Sequence, residues 1–185
     1  GDQISNLADD TVAAFIPRQV KELSADAFSG LSESQVAQLT PRAVKAFTAD
    51  QVSALAPKAL QSFSADQLER LSDDAVAAFI PKQVKKLSAD AFSGFSKSQV
   101  AELSPRAVKG FTADQVEQLP KNAFKALEPD QLKELKKDAV SGLTDDQLRT
   151  LSGDELSLFK PKKIKSIDPD AMSGLKPAAL DGLSK

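Results

Sequence analysis

Apolar residues recur at every eighth position along the whole chain. One series starts at Leu7 and reaches Leu183 in steps of eight, and all 23 of its members are apolar. A second series runs from Ile4 to Leu180 and again has 23 apolar members. We name the eight positions a to h, with Leu7 at a and Val12 at f. The pattern divides the chain into about 22 repeats of eight residues, which we call octads.

Proline positions predict that each octad begins a new helix. In one continuous helix, eight residues turn by about 800°, so the apolar stripe would drift by roughly 80° per octad and no face would stay buried. Proline is disfavoured inside a helix but suits its first position, N1. Position c is therefore predicted to be N1 of a very short helix. Nine of the ten prolines occupy it: Pro17, Pro41, Pro57, Pro81, Pro105, Pro129, Pro161, Pro169 and Pro177.

The other positions of the octad fit the same short helix. Position b becomes the N-cap, and 13 of its 23 residues are Ser or Thr. Position e becomes N3, where Gln can close a capping box, as in Thr48 with Gln51. Six of the eight glycines lie at h, where we expect a permissive residue to help the chain turn. Because such short helices are unstable alone, the sequence predicts an all-α solenoid with one helix per octad.

Position e also alternates between Gln and Ala from one octad to the next. Gln occurs at every sixteenth residue from Gln3 to Gln147, and Ala occupies the intervening positions from Ala27 to Ala139. This alternation favours a coil of two helices, or 16 residues, and about 11 coils in all. The Ala helices would then pack closely and the Gln helices would face more solvent. A coil of three helices with coincidental alternation is the alternative.

A longer repeat indicates a duplicated block. Residues 9–55 match residues 73–119 at 37 of 47 positions. No stretch has the composition of a linker, so we predict one elongated domain over residues 1–185. The alternation at e fails at Glu155 and Lys163. Residues 151–185 are therefore expected to form a terminal segment with altered packing.

The composition removes most catalytic and metal-binding chemistry. The chain has no His and no Cys, so it lacks the usual general base, the commonest metal ligand and any thiol nucleophile. We expect no enzymatic activity, no cofactor and no metal.

Net charge is −2, and basic pairs such as Arg18 with Lys21 occur on both octad classes, so they form no single stripe in a two-helix coil. We expect no nucleic-acid binding. No apolar run is long enough to insert into a membrane.

Two sets of residues are candidate surface binding sites. The first is a Gln ladder, although capping boxes explain it without a ligand. The second is a cluster of lysines that could form a weak anion patch, for which solvated surface is the alternative. Ile16 and Ile80 are large apolar residues outside positions a and f, and they are further candidates for small adhesive sites. The two sets are Gln51, Gln67, Gln83, Gln99 and Gln115, and Lys160, Lys162, Lys163 and Lys165.

The octads at 47–54 (FTADQVSA) and 111–118 (FTADQVEQ) resemble a known repeat type. They are similar to the Leu-Thr-x-x-Gln-Val/Ile-x-Ala-Leu octapeptide arrays of large bacterial surface and secreted proteins. The resemblance covers nearly the whole chain and implies an extracellular spacer or adhesive stalk. The expected function is therefore a non-catalytic scaffold segment of a larger protein. The alternative is a module that binds protein, peptide or glycan, and apolar terminal octads make end-to-end self-association a further expectation.

Overall fold

The computed structural model describes residues 2–180, with side chains for residues 4–177 and 179. Over this range the chain forms 21 α-helices and two 3₁₀ helices, each four to six residues long, and no strand. The helices are α1 (Asp2–Ser5), α2 (Asp9–Ala13), α3 (Pro17–Glu22), α4 (Ala25–Ser29), α5 (Glu33–Gln38), α6 (Pro41–Val44), α7 (Ala49–Ala54), η1 (Pro57–Ser62), α8 (Ala65–Arg70), α9 (Asp73–Ala77), α10 (Pro81–Val84), α11 (Ala89–Phe92), α12 (Lys97–Glu102), α13 (Pro105–Val108), α14 (Ala113–Gln118), α15 (Lys121–Phe124), α16 (Pro129–Glu134), α17 (Lys137–Ser141), α18 (Asp145–Leu148), α19 (Gly153–Ser157), α20 (Pro161–Ile164), η2 (Ala171–Gly174) and α21 (Pro177–Leu180).

Position c begins nearly all of the helices and position b caps most of them, as predicted. Pro169 is an exception, since η2 begins two residues after it at Ala171. In α8 the Ser64 hydroxyl accepts a hydrogen bond from the Gln67 backbone N–H at 3.1 Å, and Gln67 Oε1 accepts from the Ser64 backbone N–H at 2.9 Å. Thr48 and Gln51 make the same capping box in α7, at 3.3 and 3.0 Å. Both predicted boxes are confirmed. The N-termini of these helices are thus closed by residues of their own octad.

The helices stack as a solenoid whose coil contains three helices. Every closely packed pair joins a helix to the third helix after it, as α4 joins α7, α5 joins η1 and α9 joins α12. The short-helix solenoid is confirmed, whereas the prediction of two helices per coil is wrong. A coil is three octads, or 24 residues, and the described chain makes between seven and eight coils.

A coil of three helices explains the alternation of Gln and Ala at position e. Because three is odd, a helix with Gln at e always stacks on a helix with Ala at e. The 16-residue period therefore records which helices lie against each other and not the length of a coil. Gln helices and Ala helices therefore alternate along each of the three stacks.

Positions a and f fill the core along the whole described length. Nearly all of these side chains are buried, among them Val12, Val52 and Val116 at no measurable exposure. Phe92 stands edge-on to both Phe95 and Phe111, with ring centroids 5.0 Å apart in each pair. The apolar series predicted from the sequence is thus one continuous core.

The glycines at h are required for space and not for a turn. No described residue has a positive φ, so the expectation that a permissive backbone helps the chain turn there is wrong. A Cβ on Gly94 would lie 2.1 Å from the Ala65 carbonyl oxygen, and one on Gly142 would lie 2.1 Å from that of Ala113. Both glycines end Ala helices and meet the first residue of the helix one coil earlier. The predicted close packing of the Ala helices is confirmed.

Candidate functional site

The Gln ladder is buried. Its side chains are only 1–2% exposed, so the prediction that Gln51, Gln67, Gln83, Gln99 and Gln115 form a binding surface is wrong. The expectation that Gln helices present this side chain to solvent fails with it. The buried members of the series are Gln35, Gln51, Gln67, Gln83, Gln99, Gln115, Gln131 and Gln147.

Each ladder amide connects two coils. Gln99 Oε1 accepts a hydrogen bond from the backbone N–H of Ser96 at 2.9 Å. Its Nε2 donates to the carbonyl oxygens of Leu68 at 2.9 Å and Leu71 at 2.8 Å, in the preceding coil. These two carbonyls lie where one helix ends, so they lack partners inside that helix. Both ends of the amide are therefore occupied, and the side chain has no group left for a ligand.

One signal in the sequence could have shown this burial. A Glu at N3 closes a capping box as well as a Gln does, and Glu155 does so with Ser152 at 2.7 Å. The capping box uses only the Gln side-chain oxygen, so it leaves the two amide N–H groups without a hydrogen-bond acceptor. The persistence of Gln over Glu at e indicates that the nitrogen is also used.

The lysine cluster lies on and beside α20. Lys160, Lys162 and Lys165 are exposed, whereas Lys163 is half-buried and donates from Nζ to the Lys133 carbonyl oxygen at 2.7 Å. Burial lowers the pKa of Lys163; nearby Glu134 opposes this shift and Lys160 adds to it. Lys163 occupies the ladder position and, like Gln, reaches a carbonyl of the preceding coil. An anion patch at the other three lysines stays a prediction.

Basic side chains come together in a place that the sequence did not indicate. The helices α3, α6 and α8 stack in that order, which places the pair Arg18 and Lys21 one coil below the pair Arg42 and Lys45. The basic pairs still form no single stripe, because α8 comes next on this stack and carries Asp66 and Glu69, and the pairs of α10 and α13 lie on another stack. A surface cavity of about 590 Å³ lies between these three helices, and its lining residues are Pro17, Pro41, Arg42, Lys45, Ala46 and Arg70. We call it the basic cavity.

The described residues contain neither a cluster of metal ligands nor a helix that could span a membrane. Within residues 2–180, no three His, Cys, Asp or Glu side chains come together as a metal site would require. No helix in that range is long and apolar enough to cross a bilayer. The acidic pairs lie at helix N-termini, and Asp145 and Asp146 both pair with Arg149 of their own helix.

Comparison with known proteins adds no family. No family model matches the chain, and no curated protein matches it either. What the chain does must therefore be argued from its coils, its buried ladder and its surface.

Proposed function

We propose that this chain is a non-catalytic structural segment that spaces or presents other parts of a larger protein. The observation that carries the proposal is the ladder of Gln amides, which joins each coil to its predecessor from Gln35 to Gln147. A buried amide that loses such partners leaves unsatisfied polar groups, which costs about 1–3 kcal/mol each. Coils joined in this way resist bending and separation better than coils held by apolar contacts alone.

The rest of the molecule supports a spacing role. The apolar side chains form one continuous core, and nearly all large apolar side chains in the described range are buried in it. Ile16 and Ile80 are the most exposed of them. The complete sequence has neither His nor Cys, so its many hydroxyls have no conventional activator. Location at a cell surface or outside the cell rests on the resemblance to octapeptide arrays.

The distance between two points on one stack tests the spacer. Asp10 and Asp130 are exposed, and they lie on the same stack five coils apart. With helices about 8–10 Å apart, these positions should be roughly 40–50 Å apart in a straight stack, and closer in a curved one. Spin labels on Asp10→Cys and Asp130→Cys should give one narrow distance distribution by pulsed dipolar spectroscopy. A broad distribution, as in a flexible chain, would contradict a spacer.

A binding module is the second candidate, with protein, peptide or glycan as partner. The basic cavity is the observation that favours it, since mutually repelling cations around a cavity suit an acidic ligand.

End-to-end self-association remains a separate prediction. Scattering over a dilution series would test it, because stacked ends would raise the apparent mass with concentration.

A further inference from the structure

We infer that the basic cavity is an oxyanion site, which takes a tetrahedral anionic group such as a sulfate or phosphate ester. The inference goes beyond the spacing role and does not depend on it. A rigid spacer could lack the site, and a flexible chain could carry it.

Three cations surround the cavity without a carboxylate among its lining residues. Arg42 and Lys45 come from α6 and its C-cap, and Arg70 ends α8. No ion pair within the described part of the chain joins any of the three to an acid. Asp66 and Glu69 are also exposed on α8, but neither lines the cavity. The three positive charges are thus left for an external anion to neutralise.

The 64-residue offset of the duplicated block continues past the closely matching stretch, so we take the first block as residues 9–72 and the second as residues 73–136. The second block shows what these positions do when one charge is reversed, since the residue 64 positions after Arg70 is Glu134. Glu134 forms an ion pair with Lys109, the equivalent of Lys45, at 2.9 Å between Nζ and Oε2. The six residues equivalent to the cavity lining are Pro81, Pro105, Arg106, Lys109, Gly110 and Glu134.

Lys45 and Arg70 hold the positions equivalent to this ion pair, and both line the basic cavity. In the second block the lysine charge is compensated by Glu134, whereas in the first block Arg70 adds a second positive charge. Like charges that share a cavity repel each other, and a bound anion would offset that repulsion. The first block therefore holds a site that the second has closed.

The lining also limits the chemistry of the ligand. Arginine presents a planar fork that binds two oxygens of a sulfate or phosphate at once. Pro17, Pro41 and Ala46 give the cavity an apolar wall, against which the ring or chain carrying the ester can lie. The chain has no Trp or Tyr, and all ten Phe belong to the a and f series, so no exposed aromatic platform is available to stack nucleic-acid bases. A sulfated glycan or a free inorganic anion both fit.

Titration of the intact chain tests the site and separates these two sources. We would follow backbone amide shifts at low salt with inorganic sulfate, a sulfated tetrasaccharide and the same tetrasaccharide without sulfate. We expect one site, with the largest shifts around Arg42, Lys45 and Arg70. Binding of inorganic sulfate supports a free-ion site, and binding of the sulfated sugar alone supports an ester carried on a glycan. Equal binding of the unsulfated sugar, or no binding of any probe, would overturn the inference.

Two substitutions with the same charge change make the test specific. Arg70→Glu should reproduce the closed state of the second block and weaken binding by at least about tenfold. Lys86→Glu changes the net charge equally on an exposed residue outside the cavity lining, and should change binding by less than about twofold. Both lie at exposed positions, and circular dichroism checks that both fold. Equal losses in the two variants would reduce the site to general electrostatics and contradict the proposal.

The second block offers a gain of binding. Glu134→Arg removes the ion pair with Lys109 and recreates the three cations of the first block. We expect the number of bound anions to rise from one to two. If the folded variant still binds one, residue 70 is not what distinguishes the blocks and the inference fails.

Discussion

The coils that contain the Gln ladder differ from those that follow in how they are joined. From α5 to α18, every Gln helix places a buried amide against the preceding coil, and every Ala helix ends in Gly, Ala or Ser. In α19 the same positions carry Glu155 and Leu158, and in α20 the ladder position carries Lys163. The pair α16 and α19 is not among the closely packed pairs, although α17 still packs on α20, α18 on η2 and α19 itself on α21.

This difference separates two requirements of the stack. A buried donor at e satisfies carbonyls at the end of an earlier helix, and a small residue at h lets two backbones approach. The helix α19 stands in the place of an Ala helix and lacks the small residue at h, and its packing on α16 is weaker while the neighbouring pairs keep their contacts. Coils therefore tolerate a local defect, because each helix contacts only the coils above and below it.

Substitutions at core position f should give the largest difference in unfolding free energy between the ladder coils and the terminal segment. Phe92 is fully buried against two other rings, whereas Met172 in η2 is only half-buried. Phe92→Ala should lower the free energy of unfolding by about 3–5 kcal/mol, since it leaves a cavity. Met172→Ala should lower it by about 1–2 kcal/mol, because part of that side chain is already in water. Urea unfolding measures both, and similar losses would show that the terminal segment is packed as tightly as the ladder coils.

The ladder position e should give the next contrast. Gln99→Ala removes the partners of three backbone groups, on Ser96, Leu68 and Leu71, and should cost about 2–4 kcal/mol of unfolding free energy. Lys163→Ala removes one hydrogen bond at a half-buried site and should cost less than about 1 kcal/mol. Urea unfolding at neutral pH compares them. A cost for Gln99→Ala no greater than that of Lys163→Ala would mean that the ladder does not hold the coils together.

The smallest of the three contrasts concerns position h. Gly94→Ala forces a Cβ against the Ala65 carbonyl and should cost about 1–3 kcal/mol as the two coils move apart. Leu158→Ala removes side chain at a site without that close approach and should cost about 1 kcal/mol or less. Thermal unfolding followed by circular dichroism gives the order of the two. If Gly94→Ala were neutral, the close contact between coils would not be required.

The parts of the fold that are local could be predicted from the sequence. Pro at c, Ser or Thr at b and the apolar pair at a and f each describe one octad, and each is found as expected except at Pro169, which does not begin a helix. The capping boxes of Thr48 with Gln51 and Ser64 with Gln67 also involve one octad only. These features depend on contacts between residues three or four apart, which a repeat of eight displays directly.

The parts that depend on neighbouring coils were not predicted. Whether helix four or helix three lies above helix one is a contact between residues about 24 apart, and the octad itself does not encode it. The burial of Gln99 and the need for Gly94 are contacts of the same range, since Leu68 and Ala65 belong to the previous coil. The basic cavity was missed for this reason too, because Lys45 and Arg70 are neighbours only in a three-helix coil.

The number of helices per coil is the claim on which the rest depends, and a cysteine-free chain allows a direct test. Ser34 Oγ lies 3.4 Å from Asp9 Oδ1, one three-helix coil away. Asp26 holds the same octad position as Ser34 but would lie beside Asp9 only in a two-helix coil. The variant Asp9→Cys with Ser34→Cys should form an intramolecular disulfide readily under mild oxidation, and Asp9→Cys with Asp26→Cys should not. A disulfide in the second variant and none in the first would contradict the three-helix coil, and with it the ladder and the cavity.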